Sequence, residues 1–377
     1  GIRDVAVTGV QTCALPIYSV KKIMVGMSGG VDSSVTAALL KEQGHDISAL
    51  FMKNWEEDDV ERCNSKNDYE DAKRICKKLG IKLHTVNFSD KYWDLVFKRF
   101  LEDLKQGFTP NPDIYCNKEI KFNYFLKYAL SLGFDKVATG HYAKLIKENN
   151  CITLNKPKDK LKDQTYFLYM LNQNILNKII FPLEEVTKQD VKMIAKNLDI
   201  TIYEKKESMG ICFIGKRNFS NFIKKYIDNT PGDICNEDNI ILGKHDGLFN
   251  YTLGQRKGIK IGGHKDFDEK PWFVIKKDSS NNKLIISQNE DELMYKGIIE
   301  LDAVSWINEE PIKKNYTCEA RFRHGGRLIP VKIINDKCKI ELCEKERAVT
   351  PGQSAVFYSG EKCLGGGIIR KLCLKKV

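Results

Sequence analysis

Two cysteines and one glycine–serine loop hold the residue types in this chain that could do covalent chemistry. Cys116 stands in NPDIYCNKEIKF, Cys212 in MGICFIG, and the loop reads IMVGMSGGVDSSV over residues 23–35. A thiolate is a nucleophile and a carrier of sulfur. A strand, a glycine turn and a helix in succession make a cradle for phosphate. Gly29 and Gly30 carry no Cβ, so backbone amides can close on phosphate oxygens. The helix after them offers its positive end, and Ser28, Ser33 and Ser34 add hydroxyl donors. No Gly-Lys-Ser/Thr comes next, so this is not a Walker loop. A bare SGG would mean only a turn with Asp32 and Ser33 as helix caps. SGGVDSS between a strand and a helix favours the anion site.

Cys116 comes after Pro110-Asn111-Pro112-Asp113, where two prolines oppose a regular helix or central strand, so a fixed turn is expected. Asp113 and Lys118 flank the thiol closely; the lysine would favour the thiolate, and Asp113 is the candidate acid/base. Cys212 lies between Gly210 and Gly215 behind Lys205 and Lys206. Such a small-residue setting suits a thiol that is loaded by another protein and swings inward. Taken singly, either cysteine reads more readily as a small buried hydrophobe, as Cys76, Cys151 and Cys338 do.

These groups need a frame. From Ile23 to Val137, apolar runs (IMVGM, ISALFM, LHTVNF, KVATGHY) alternate with helical patterns (VTAALLKEQG, YEDAKRICKKLG, YWDLVFKRFLEDLKQG, KFNYFLKYALSLG). That order predicts an α/β fold with a parallel sheet and helices on both faces. Ligands in such sheets bind at the carboxyl ends of the strands, where both IMVGMSGG and VATGHY finish. Residues 165–227 read as mainly helical, including QTYFLYMLNQNIL and VTKQDVKMIAKNL. After Pro231-Gly232 the texture becomes short alternating runs. From about Gly297 onward, strand and turn patterns predict a small antiparallel barrel or sandwich. The expected division is a catalytic sheet domain with a helical extension over 19–220, a small central domain over 221–290, and a C-terminal β-barrel over 291–377. Residues 1–18 fit poorly with the rest of the chain; a non-native leader is expected there, and Cys13 is set aside with it.

The bulk numbers set limits. A length of 377 residues suits two or three domains. The net charge of +11, mostly from lysine, would suit an anionic partner such as nucleic acid but fits compositional drift equally well. Twelve cysteines include no CxxC pair, which removes the usual zinc knuckle. No signal-like segment or run of about 18 apolar residues supports secretion or a membrane span, so a reducing, cytoplasmic setting is expected.

In its strand–helix setting, SGGVDSS resembles the PP-loop ATP pyrophosphatases. The resemblance implies an adenine nucleotide α-hydrolase-like sheet domain that cleaves ATP to AMP and pyrophosphate while adenylating an oxygen. It assigns Gly26, Met27, Ser28, Gly29, Gly30, Val31, Asp32 and Ser33 to the triphosphate, Met52 to adenine, and Gly140 to the neighbourhood of the nucleoside. Read alone, Met52 is core packing and Gly140 a turn glycine. FMKNWEEDD, NPDIYCNKEIKF, ATGHYA, KDQTYFLY, GICFIG, YTLGQRKG and TPGQSAVFY, in order across residues 21–370, closely resemble the bacterial tRNA-specific 2-thiouridylase family. That resemblance implies a persulfide on Cys212 and a nucleophile at Cys116. It places Asn111, Pro112 and Asp113 on the target base, and His141, Lys162, Asp163, Gln164, Arg321, Phe322 and Gln353 on tRNA. Met209 departs from the family pattern, which often has a small polar residue there.

The resemblance further implies Lys, Glu and Gln tRNAs as partners, with a cysteine desulfurase or sulfur relay protein as donor. A monomer is expected. Magnesium is expected with ATP, but no carboxylate cage for it is visible, and the acidic run Glu56–Asp59 reads as a solvated loop. Two rivals stand beside this reading. A ligase that adenylates a small metabolite would not need the cysteine pair. A non-catalytic RNA-binding protein would have no use for an intact SGGVDSS.

Overall fold

The computed structural model describes residues 20–56, 64–200, 219–228, 230–261, 267–308, 316–334 and 338–373. Cys212, Met209 and the leader 1–18 therefore lie outside the described residues.

The expected parallel sheet forms from five strands. Lys22–Gly26 lies between Asp46–Lys53 and Lys136–Ala138, with Lys82–Asn87 and Ile179–Ile180 at the two edges, and every pairing is parallel. Ile23, Met24 and Val25 are wholly buried, as a strand covered on both faces requires. Chain order runs one way from the first strand and then the other. The crevice at the ends of Lys22–Gly26 and Lys136–Ala138 is thus the switch point where such sheets hold ligands. Helix Val31–Glu42 comes after the first strand, and Gly44 beyond it takes a φ of +80°, the left-handed turn that glycine allows.

Two stretches differ from their sequence reading. Residues 165–186 are not a long helix. They form a 3₁₀ turn at Thr165–Phe167, a short helix at Gln173–Leu176 and the fifth parallel strand. Tyr166, Leu168, Tyr169 and Leu171 are all buried, so the stretch that reads most strongly as helix is enclosed on every side and has no solvent-facing stripe. The prolines before Cys116 do not keep it on a turn. Pro112 begins a helix that continues through Cys116–Tyr124, wound wider than an α-helix, to Phe125–Ser131. Proline is welcome at the first helical position, where its missing N–H would have had no partner. Asn111 caps the helix, its Oδ1 accepting from the Asp113 amide at 3.1 Å.

The C-terminal region closes a six-stranded antiparallel barrel. Ile298–Leu301, Lys339–Leu342, Ile329–Ile333, Tyr316–Arg321, Ser354–Ser359 and Lys362–Cys373 pair in that order, and the last returns to the first. The hairpin Lys144–Glu148 and Cys151–Asn155, which belongs to the chain before the fifth parallel strand, adds to this sheet through Lys362 and Cys363. Val356, Tyr358, Cys363 and Ile368 share one continuous core with Cys116, Tyr166 and Tyr169. Between these regions, Gly232–Cys235, Ile241–His245, Phe273–Asp278 and Lys283–Ser287 form a four-stranded sheet over a small core of its own.

Candidate active site

The phosphate loop is shaped by its own hydroxyls. Ser33 Oγ accepts from the Ser28 amide at 3.2 Å and donates to the Gly30 carbonyl at 2.9 Å, while Ser34 Oγ donates to the same carbonyl at 2.8 Å. Gly29 takes a φ of +73°, and a Cβ there would stand 2.2 Å from the Asp68 carbonyl oxygen. Helix Asn64–Leu79 thus presses against the loop so closely that only glycine fits. Gly30 caps helix Val31–Glu42 in an extended conformation, with no side-chain capping hydrogen bond.

Gly140 is a close-approach residue. A Cβ on it would lie 2.9 Å from the Asp32 carbon and the Ser33 nitrogen, so ATGHY and the phosphate loop meet backbone to backbone. Gln164 holds ATGHY from behind, its Oε1 accepting from the Tyr142 amide at 3.0 Å. At Gly26, a Cβ would touch Phe125 at 3.2 Å and the Met52 methyl at 3.7 Å. The helix that bears Cys116 therefore packs on the phosphate loop through Phe125, with Met52 at the same spot. Met27, Val31 and Cys116 are buried.

Asp32 is engaged from two sides that the sequence does not announce. Lys188 Nζ donates to its carboxylate oxygens at 2.7 and 2.8 Å, and the Tyr142 hydroxyl donates at 2.8 Å. Lys188 opens helix Lys188–Asn197, whose N-cap Thr187 forms a reciprocal capping box with Asp190. The Lys188 amide itself donates to Asp159 at 2.9 Å. Only the fold brings Lys188 across 156 residues to Asp32.

His141 lies inside the protein. Thr139 Oγ1 is 2.7 Å from its Nδ1, Lys121 Nζ is 3.5 Å from its Nε2, and the rings of Phe122 and Phe181 flank it. An ammonium can only donate, so Nε2 accepts and Nδ1 carries the hydrogen given to Thr139. Burial first, then the Lys121 charge, holds this imidazole well below its ordinary 6.5.

The residues expected on tRNA fall into two groups. Arg321 Nη1 donates to Asp163 Oδ2 at 2.9 Å, and the Asp163 carbonyl accepts from His324. Phe322 is in the barrel core and offers no ring face outward, because alternate residues of Tyr316–Arg321 and the one after it point inside. Asp163, Phe322 and His141 are buried. By contrast, Asn111, Asp113, Lys162, Gln164 and Gln353 are only partly buried. Gln353 Nε2 donates to the Thr109 carbonyl at 2.6 Å, so the barrel touches the segment that leads into Asn111 and Cys116. Lys118 Nζ is 3.5 Å from Glu119.

Glu57, Asp58 and Asp59 of the acidic run lie outside the described residues. Among the described residues no group of three or more His, Cys, Asp or Glu could hold a metal, and the loop's one carboxylate is held by Lys188 and Tyr142. No described helix is long and apolar enough to cross a membrane.

Residues 21–216 match the model described as the tRNA methyl transferase HUP domain, residues 220–288 the tRNA methyl transferase PRC-barrel domain, and residues 296–369 the aminomethyltransferase β-barrel domain. The tRNA-specific 2-thiouridylase MnmA of Hahella chejuensis is 46% identical over 356 residues, covering 93% of this chain and 98% of that one. Its counterpart in Proteus mirabilis is 49% identical, covering 93% and 97%. Among solved structures, the U34-tRNA thiolase NcsA from Methanococcus maripaludis with its [4Fe-4S] cluster aligns at 21% identity and a TM-score of 0.33. That alignment covers 48% of this chain and 57% of that one, too little to add weight. The domain descriptions speak of methyl transfer while the relatives matched along almost their whole length are thiouridylases. Near-half identity over that length decides between them: this chain belongs to the tRNA-specific 2-thiouridylase family.

Proposed function

We propose that this protein is an ATP-dependent tRNA-uridine 2-sulfurtransferase acting on the wobble uridine. The observation that supports the reading is the packing of the helix that bears Cys116 against Gly26, at the start of the phosphate loop, through Phe125. The 2-oxo oxygen of uridine is a poor leaving group. It attacks the α-phosphorus of ATP, pyrophosphate departs, and the oxygen then leaves with AMP. In one route, the terminal sulfur of a Cys212 persulfide attacks C2 and expels AMP. The Cys116 thiolate then attacks the inner sulfur of Cys212, which forms a Cys116–Cys212 disulfide and leaves the thiocarbonyl on the base. In the other, Cys116 attacks first and hydrosulfide is the nucleophile. Both balance, and both require an external reductant to restore the thiols before the next turnover.

Each residue has a role within this reading. Gly26 to Ser33 take the triphosphate, with amides and hydroxyls as donors. Met52 takes adenine, and Gly140 lets ATGHY approach the nucleotide. Asn111, Pro112 and Asp113 meet the splayed-out base, and Asp113 is its acid/base. His141, Lys162, Asp163, Gln164, Arg321, Phe322 and Gln353 are assigned to tRNA. Magnesium would be carried in on the nucleotide's own oxygens, and no step above depends on it. The donor that loads Cys212 is a cysteine desulfurase or a relay protein, and the acceptors are the Lys, Glu and Gln tRNAs. The protein works as a cytoplasmic monomer of three regions, 19–220, 221–290 and 291–377.

The test is mass spectrometry of tRNA nucleosides after incubation with ATP, magnesium, reductant and a persulfide source. Wild type should form 2-thiouridine, while Cys116→Ser and Cys212→Ser should form none. No product from wild type despite adequate sulfur supply would overturn the reading. A Cys116→Ser variant that thiolates normally would remove the assigned nucleophile.

A further inference from the structure

The segment Gly107–Asn111, which delivers the chain into the Cys116 helix, is gripped from two sides. The barrel holds one side. The Thr109 amide donates to the Pro351 carbonyl at 2.9 Å, and Gln353 Nε2 donates to the Thr109 carbonyl at 2.6 Å. Gly352, at a φ of +93°, comes so near that a Cβ would stand 2.8 Å from the Thr109 nitrogen. The central region holds the other side through one side chain. Lys277, on strand Phe273–Asp278, donates to the Phe108 carbonyl at 3.3 Å, the Thr109 hydroxyl at 3.2 Å and the Tyr251 carbonyl at 3.1 Å. Next to it, Gly107 has a φ of +82°, and a Cβ there would fall 2.2 Å from the Ser279 hydroxyl.

Three acceptors around one ammonium use all three of its N–H bonds. Two of the acceptors belong to the incoming segment and the third to the central region, so the lysine is a rivet between them. The residue as a whole keeps some exposure, but its ammonium is sunk among these oxygens, and burial pushes it down to about 8. An apolar residue would leave two carbonyls without a donor in this crowded place.

We propose that Lys277 is a positioning residue for sulfur transfer: through Phe108 and Thr109 it fixes where the Asn111-capped helix starts, and hence where Asp113 and Cys116 meet the activated base. The inference rests on the reading of Cys116 as the nucleophile. Lys277 is remote from the phosphate loop by chain and by domain. Its loss therefore acts on the second half-reaction more than on adenylation.

The experiment compares wild type, Lys277→Met, Lys277→Arg and Cys116→Ser, measuring tRNA-dependent pyrophosphate release and 2-thiouridine formation in the same samples. Lys277→Met should keep its KM for ATP and release pyrophosphate, yet form about tenfold less 2-thiouridine per pyrophosphate, since small misplacements of reacting groups are costly. Lys277→Arg, which keeps charge and donors, should recover part of the coupling. Unchanged coupling in Lys277→Met, or an equal fall in both half-reactions, would overturn the proposal. A Cys116→Ser variant that still thiolates would instead overturn the reading beneath it. Should Lys277→Met fail to fold, Thr109→Val removes only the hydroxyl acceptor and should shift the ratio in the same direction; a normal ratio there counts against the proposal.

Discussion

At the scale of single residues, the site depends on groups held where water does not reach. His141 is the sharpest case, a ring enclosed by Phe122 and Phe181 with Lys121 facing its Nε2. Its pKa is held well below 6.5 in the fold, whereas in the unfolded chain the ring takes a proton near that value. As pH falls below 6.5 the unfolded state binds the proton and the native state does not, so the contribution is present above 6.5 and lost below it. The slope approaches about 1.4 kcal/mol per pH unit for one proton. His141→Gln should remove this part of the acid sensitivity. Chemical unfolding of both proteins between pH 7.5 and about 5 reads the difference, which also cancels the lowered His45, His84 and His245. Parallel pH profiles would refute it.

At the scale of elements, helix starts decide where the polar groups go. The box between Thr187 and Asp190 satisfies amides at the start of helix Lys188–Asn197, so Lys188 leaves its first turn in a fixed direction towards Asp32. Thr187→Ala should cost about 1 kcal/mol of stability. It should also weaken ATP binding severalfold by freeing the start of the helix, as thermal unfolding and nucleotide titration would measure. A stability loss with unchanged nucleotide affinity would mean that the box serves the helix alone. The Cys116 helix obeys the same rule at Asn111. Its start was hidden in the sequence because proline reads as a breaker, and only the register of Pro112 at the first helical position reverses that meaning.

At the scale of the whole molecule, the barrel and the nucleotide-binding sheet are not separable bodies. They share a core, the hairpin Lys144–Asn155 extends the barrel's sheet, and the Tyr166 and Tyr169 hydroxyls reach Ser354. The Asp163–Arg321 pair locks the same seam, with side chains only 3% and 13% exposed. Asp163→Ala leaves that guanidinium without its partner and should cost about 3–5 kcal/mol. Both regions should still unfold together in one calorimetric transition. Two resolved transitions in the wild type would show that the shared core does not couple them.

The chain's own pattern determined the repeating β–α order, the phosphate loop at the end of its first strand and the alternating strands of the barrel. Each of these depends on residues close together in the chain, where periodicity and turn chemistry act directly. The cysteine motifs stood out in the sequence because few residue types can carry sulfur. Only the tertiary structure decided that residues 165–186 would be turns and a sheet edge, since their apolar residues are met from every side by parts of the chain far away. It also decided the distant partners of Asp32, Asp163 and Lys277, which are drawn from sequence separations of 110 to 169 residues. Local propensity carries no information about such pairs. A buried charge finds its counterpart only when the elements that carry the two groups pack together.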